Sequence, residues 1–180
     1  MLEMKNVVKI YRTDLIETHA LRDFNLRVAE GEFVAVTGPS GSGKTTFLNV
    51  AGLLESFDSG SYRLDGQDVG MLDDDARART RNRHIGFIFQ SFNLIPDLDV
   101  FDNIDVPLRY RGLPAPERRR RIDGVLETVG LGARAHHLPA EANKARCSQS
   151  CVCRCYAAPR LYPPLICSRP YIGPLNTLTL

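Results

Sequence analysis

The sequence predicts an α/β fold, and three observations carry that prediction. An apolar β-branched run, a glycine-rich loop and an apolar helical stretch follow one another over residues 32–54. Apolar residues alternate with polar ones at 2–10 and at 24–28, as in half-buried strands. From 100 to 129 the apolar period becomes that of a helix. We therefore expect a mixed sheet core around the loop, an antiparallel β layer and a partial helical subdomain.

The loop at 38–45 reads G-P-S-G-S-G-K-T and fits the P-loop pattern G-x-x-x-x-G-K-[ST]. A polyphosphate held out of water needs inward-pointing backbone N–H groups, which glycine permits because a Cβ would clash. We predict that Lys44 reaches the β- and γ-phosphates and that the Thr45 hydroxyl joins a Mg²⁺ shell. A chance Gly/Ser turn is the alternative, and the flanking strand and helix argue against it. The predicted phosphate-binding residues are Gly38, Pro39, Ser40, Gly41, Ser42, Gly43, Lys44 and Thr45.

The elements around the loop are predicted from local patterns. Leu2, Met4, Val8 and Ile10 share one parity, so we expect them on one face of a strand that pairs antiparallel with a strand at 24–28. Three further elements should follow the loop helix: a short strand at 61–64, an exposed charged helix at 73–83, and an apolar strand at 85–89 that ends on Gln90.

The segment 100–129 is predicted to be helical. Pro116 suits the first turn of a helix and Gly130 its C-terminal cap. The run of four arginines at 118–121 is a candidate nucleic-acid patch, but cations opposite an apolar stripe are more often a solvated face, which is our interpretation. The apolar stripe consists of Ile122, Val125, Leu126 and Val129.

Composition divides the chain near residue 142. All 21 acidic residues lie at or before Glu141, whereas 142–180 contains all five cysteines and five of the eleven prolines. The absence of cysteine before this point is typical of a reducing, cytosolic compartment, and no apolar run is long enough to span a membrane. The chain start also has no apolar signal-peptide core.

Three stretches, together with Tyr11 at the end of the first strand, carry a family resemblance. They read S-G-S-Y-R-L-D-G-Q-D-V, H-I-G-F-I-F-Q-S-F-N-L-I-P-D-L and N-I-D-V-P-L-R-Y-R-G-L. Residues 1–141 resemble the ATP-binding subunit of an ABC transporter, in the branch of bacterial macrolide exporters and lipoprotein-release systems. This resemblance implies that Tyr11 stacks on adenine and that Thr46 donates to the α-phosphate. It also implies that Gln90 is catalytic, helping Thr45 to hold Mg²⁺ and positioning the attacking water.

The same resemblance implies partners and a location. The family's ATP-binding subunits pair as a head-to-tail homodimer on a transmembrane permease subunit, at the cytoplasmic face of the inner membrane, with no nucleic-acid partner. We therefore expect 1–141 to be the N-terminal part of an ATP-binding domain, with its helical subdomain at 91–141. The implied cofactors are ATP and Mg²⁺.

The sequence departs from the family after residue 141. The family's L-S-G-G-Q signature is due there, but the chain reads Ala142-Asn143-Lys144-Ala145-Arg146, and neither an Asp-Glu strand end nor a histidine follows. We therefore expect a domain truncated before its signature and acidic motifs. A non-catalytic nucleotide-binding fragment remains one alternative. Another P-loop NTPase or a kinase is the second, against which the positions of Tyr11 and Gln90 argue.

Residues 142–180 are predicted to be an atypical tail, either disordered or read out of frame. Four cysteines give C-x3-C-x-C-x-C, a poor fit to zinc sites, which use two separated pairs. Disulfides are disfavoured in a cytosolic protein. With five prolines and no apolar stripe, the tail should not supply the parallel strands that the core lacks.

Overall fold

The computed structural model describes residues 1–88 and 93–140, together with the backbone of strands at 165–167 and 176–179. The strands are β1 (Leu2–Arg12), β2 (Glu17–Val28), β3 (Val34–Thr37), β4 (Ser59–Leu64), β5 (Gln67–Asp68), β6 (Gly86–Ile88), β7 (Leu165–Cys167) and β8 (Asn176–Thr179). The helices are α1 (Lys44–Ala51), α2 (Asp74–His84), α3 (Val100–Tyr110) and α4 (Ala115–Thr128), followed by a 3-10 turn at Gly132–Arg134.

The chain forms two compact units, one of residues 1–78 and 170–180 and the other of residues 79–169. The first contains the antiparallel sheet and the P-loop, and the second contains α3 and α4. The predicted charged helix is confirmed as α2, but its residues are exposed in part only: none is fully buried and more than half are half-buried. Within the described segments, no helix has the length and hydropathy of a membrane-spanning segment.

The first unit is built on a four-stranded antiparallel sheet with the order β2-β1-β4-β5. β1 and β2 pair along their length, from Leu2 opposite Val28 to Arg12 opposite Glu17, which confirms the predicted antiparallel layer. The second edge of β1 pairs with β4. β1 is therefore an interior strand, paired with β2 as far as Arg12 and with β4 as far as Val8.

A bulge in β1 overturns the predicted parity of its apolar residues. Pairing with β2 slips between Met4 and Val7, where Asn6 adopts a left-handed φ of 49°. A bulge residue reverses the side-chain alternation, so Val7 is fully buried while Val8 is only partly buried. Gly60 lies against this bulge, and a Cβ there would approach the Asn6 carbonyl oxygen to 2.4 Å.

The helix α1 is held against the sheet by its apolar face. Phe47 is buried and its ring lies 5.0 Å from that of Phe24 on β2, measured between centroids. At the other end of the helix, the buried Tyr62 of β4 donates a hydrogen bond of 2.7 Å to the Ala51 carbonyl. Both ends of α1 are thus tied to the sheet, which fixes the position of the P-loop that precedes it.

The tail contributes strands, contrary to the prediction from its composition. β8 pairs in parallel with β3, and β7 pairs in parallel with β6. The prediction that 142–180 cannot supply parallel strands is therefore wrong at these two segments. Neither segment contains proline, so every residue in them keeps the N–H that a ladder requires. The predictions of disorder and of cysteine chemistry elsewhere in 142–180 lie outside the described residues.

The second unit contains two helices, α3 and α4, which pack together through an apolar cluster. The prediction of helix over 100–129 is confirmed, with a break between α3 and α4 at 111–114. Pro116 lies in the first turn of α4, and Gly130 follows the helix with a φ of 69°. The buried cluster consists of Val100, Ile104, Leu108, Ile122, Leu126 and Leu131.

The arginine run on α4 is only partly a solvated face. The Arg118 side chain is 19% exposed and donates to the Asp105 carboxylate of α3 at 2.6 Å and to the Leu113 carbonyl at 2.8 Å. Arg121 pairs with Glu117 within the helix. The other two arginines are exposed, as predicted. The interpretation is thus wrong for Arg118, which joins α4 to α3 because the helices face each other at this point.

A candidate nucleotide site on the P-loop

The loop between β3 and α1 turns through residues that adopt positive φ. Gly38, Gly41 and Gly43 have φ values of 148°, 82° and 91°. L side chains rarely adopt these conformations, so glycine is required by the path of the chain. The Ser42 N–H donates to the Pro39 carbonyl at 3.3 Å, which closes the turn at the top of the loop.

Gly43 is the most constrained of these glycines because β2 passes close beside it. A Cβ on Gly43 would lie 2.4 Å from the Ala20 carbonyl oxygen, a contact that real side chains do not make. The same residue precedes α1 in a left-handed conformation and provides no side-chain cap, and the first turn of α1 contains no acidic residue. The first N–H groups of α1 are therefore available to an external anion.

Lys44 lies folded across the loop. Its ammonium donates to the carbonyl oxygens of Gly38 and Pro39 at 2.9 and 2.5 Å, and approaches Ser42 Oγ at 3.4 Å. All three acceptors are neutral. A phosphate oxygen is a stronger acceptor for an ammonium than a neutral carbonyl, because the hydrogen bond is then charge-assisted at both ends.

The remaining predicted site residues differ in exposure. Pro39, Ser40 and Thr45 are exposed, and Thr46 is half-buried in the first turn of α1. Thr45 is an exposed residue beside the loop, so its hydroxyl is accessible to a ligand there. Mg²⁺ takes few protein ligands and completes its shell with phosphates and water, so this arrangement fits the ion. Gln90, the other predicted ligand and the predicted catalytic residue, lies outside the described residues.

An open depression of about 270 Å³ flanks the loop. One side is formed by β2 residues 19–22 and Phe24, and the other by Gly41 and Ser42. Sequence analysis did not predict this contribution of β2. The close approach of Gly43 to Ala20 creates it, and no local pattern in residues 19–22 signals that approach.

Tyr11 lies at the end of β1 and is 37% exposed. Its hydroxyl donates to Glu55 Oε2 at 2.6 Å, and the Lys9 ammonium lies 5.3 Å from the ring centroid. Burial and the Glu55 carboxylate raise the pKa of the Tyr11 phenol, while a contact with the Thr46 side chain lowers it. Tyr11 and Thr46, both predicted site residues, are therefore brought together at the start of α1.

A glycine-rich loop that leads into an uncapped helix defines a P-loop nucleotide-binding protein. Comparison with known proteins gives the family. The family model described as "ABC transporter" matches residues 21–155, more than half of the chain. The chain belongs to the ABC transporter family, in its ATP-binding part.

Two relatives and one solved structure illustrate the similarity. An uncharacterized ABC transporter ATP-binding protein of Thermotoga maritima is 41% identical over 157 residues, which are 87% of this chain and 67% of that protein. The macrolide export ATP-binding/permease protein MacB of Azoarcus is 41% identical over 141 residues, or 78% of this chain but only 22% of that protein.

The solved structure is that of the ATP-binding cassette MJ0796, a dimer in a post-hydrolysis state with ADP and Pi. It is 37% identical, covers 87% of this chain and 69% of its own, and superposes with a TM-score of 0.78. The family resemblance and the α/β P-loop fold predicted from the sequence are thus confirmed.

Proposed function

We propose that the chain is an ATP-binding subunit of an export transporter of the macrolide or lipoprotein-release type. The observation that supports nucleotide binding is the uncapped N-terminus of α1, where the Lys44 ammonium donates to three neutral acceptors among the described residues. Such a helix end attracts anions through its dipole and its free N–H groups. The family's use of ATP makes a nucleoside triphosphate the anion that we propose.

Each loop residue has a distinct part in this proposal. The backbone N–H groups at Gly41, Gly43 and the first turn of α1 bind the phosphates, and the Lys44 ammonium leaves the loop carbonyls for the β- and γ-phosphates. The Thr45 hydroxyl and Gln90 hold Mg²⁺, which neutralises charge on the phosphates. Tyr11 stacks on the adenine, and Thr46 donates to the α-phosphate.

Replacement of Lys44 tests the nucleotide site. We expect Lys44→Ala to weaken Mg-ATP binding by roughly 10- to 100-fold, because the variant loses the charge-assisted hydrogen bonds to phosphate. Isothermal titration calorimetry measures this directly. Lys5→Ala is the matched control, because Lys5 is exposed on the same unit and forms its ion pair with Glu3, away from the P-loop residues. Equal affinities of the Lys44 and Lys5 variants would contradict the proposal.

A second part of the proposal concerns the proteins with which this chain assembles. We propose that the chain docks on a permease subunit at the cytoplasmic face of the inner membrane, that the subunits pair, and that 91–141 is the helical subdomain. The MacB relatives support it, since their names join an ATP-binding part to a permease. Co-purification of the chain with a permease from membranes would support the proposal. Phosphorylation of a small-molecule acceptor by the purified chain would instead favour a kinase.

Hydrolysis should fail in this chain even where ATP binds. Residues 142–180 contain no acidic residue to polarise water and no signature to close a partner's site. Removing a single group that positions or stabilises the transition state typically lowers the rate by about 10²–10³. We therefore expect no steady-state phosphate release from the purified chain. Lys44-dependent hydrolysis at ordinary enzyme rates would show this expectation to be wrong.

A further inference from the structure

The side chain of Tyr11 is held by Glu55, a residue that the sequence did not predict to belong to the site. Its hydroxyl donates to Glu55 Oε2 at 2.6 Å across 44 residues of sequence. A phenol that donates to a carboxylate has one preferred direction, whereas an exposed ring at a strand end is otherwise free to change rotamer. Glu55 lies just beyond α1, the helix that starts in the P-loop, so the ring is tied to the element that carries the phosphate site.

The backbone beside Tyr11 is held by the same segment. The Ile10 N–H donates to Asp58 Oδ2 at 2.7 Å, and the Asp58 N–H donates to the Val8 carbonyl at 2.8 Å. These two bonds fix the strand just before Tyr11. Residues 55–58 therefore position both the backbone and the side chain of the residue proposed to stack on the base.

One face of the Tyr11 ring is already occupied. Lys9 lies two residues earlier on β1, and its ammonium lies 5.3 Å from the ring centroid. A cation over one face is attracted by the ring's quadrupole. A planar base that stacks on Tyr11 would therefore take the opposite face, and for this the ring must keep the direction that Glu55 gives it.

We propose that Glu55 is a positioning residue, which through its contact with the Tyr11 hydroxyl orients the ring to receive the nucleobase of ATP. The inference rests on the proposed function, because it assumes that a nucleotide binds at the P-loop. Glu55 does not touch the nucleotide in this proposal. Its effect must therefore depend on the base and on the Tyr11 hydroxyl.

The test compares ATP with inorganic tripolyphosphate, which has the phosphates but no base. Glu55→Ala should weaken Mg-ATP binding roughly five- to tenfold, less than the loss of a hydrogen bond to a charged group because Glu55 acts only by orienting the ring, and should leave tripolyphosphate binding unchanged. Tyr11→Phe should have the same effect, and the double variant no more than either alone. Glu55→Gln keeps an acceptor and should restore most of the affinity. Equal weakening for both ligands would mean a merely structural role and would overturn the proposal.

Glu17→Ala is the matched control. Glu17 is an exposed glutamate on the same hairpin, and it pairs with Arg12 at 2.8 Å rather than with Tyr11. Glu17→Ala removes one negative charge, as Glu55→Ala does, so it reports any general electrostatic effect on the binding of an anionic ligand. We expect Glu17→Ala to bind ATP as the parent does. A loss as large as that of Glu55→Ala would overturn the positioning role.

A second measurement needs no ligand. With 3-fluorotyrosine at position 11, the ¹⁹F resonance reports the environment of the phenol, and Glu55→Ala should shift it while Glu17→Ala should not. An unchanged resonance would overturn the proposal whatever the binding data show. A shifted resonance in a chain that binds neither ATP nor tripolyphosphate would support the contact with Glu55 and contradict the proposed function instead.

Discussion

Gly43→Ala should destabilise the first unit and abolish measurable nucleotide binding. Alanine at a φ of 91° is strained, and its Cβ would meet the Ala20 carbonyl oxygen at 2.4 Å. Because the backbone fixes the position of a Cβ, and the atom that it meets is a backbone oxygen, neither can move aside without displacing the P-loop or β2. We expect a loss of about 3 kcal/mol or more in the free energy of unfolding, from strain and overpacking together. Urea unfolding followed by circular dichroism measures it.

Gly41→Ala separates the two causes. Gly41 has a similar φ of 82°, but a Cβ there would meet no atom within 4 Å. Its substitution should therefore lower the free energy of unfolding by about 1–2 kcal/mol, through backbone strain alone. Equal losses at Gly41 and Gly43 would show that the contact with β2 does not constrain the loop.

Asp105→Ala should strongly destabilise the second unit. The Asp105 side chain is 4% exposed and accepts hydrogen bonds of 2.6 Å from both Arg118 and Arg109. Its removal leaves Arg118, itself only 19% exposed, without its carboxylate partner. We expect a loss of about 2–4 kcal/mol, near the lower part of the range for broken buried pairs because Arg118 keeps some contact with water. Chemical unfolding of the whole chain measures it.

Asp102→Ala is the control for this prediction. Asp102 is also on α3 and faces Arg109, but its side chain is 43% exposed and the pair is 3.7 Å apart. An exposed pair of this kind contributes about 1 kcal/mol or less. A loss for Asp102→Ala as large as that for Asp105→Ala would contradict the assigned role of the buried carboxylate.

The contribution of Asp105 should depend on pH. Burial alone would raise the pKa of this carboxyl, but hydrogen bonds from Arg118 and Arg109 outweigh it, and the pKa lies below the ordinary value of 3.8. A carboxyl with a depressed folded-state pKa stabilises the protein above the unfolded pKa and loses that effect as pH falls through the folded pKa. The difference in stability between parent and Asp105→Ala should thus be constant near neutrality and narrow below about pH 4. A difference that widened in acid would contradict the assignment.

The sequence predicted the local elements around the site well. The strand, P-loop and first helix at 32–54 follow from a motif of fixed spacing, and α4 follows from an apolar stripe bounded by Pro116 and Gly130. The prediction from composition was wrong for two segments of residues 142–180. Prolines and the absence of an apolar stripe argued against strands in 142–180, yet proline-free segments pair with β3 and β6, because pairing in a sheet needs only free backbone groups and a neighbouring edge.

The sequence by itself determined the P-loop, the antiparallel pairing of β1 with β2, and the family, because each depends on residues close together in the chain. Only the tertiary structure decided that Gly43 lies against Ala20, that Arg118 reaches Asp105, and that Tyr11 is held by Glu55. It also decided the bulge at Asn6, which an alternating pattern of apolar residues does not predict. Backbone preferences and apolar periods act over a few residues, whereas these contacts join residues that only folding brings together.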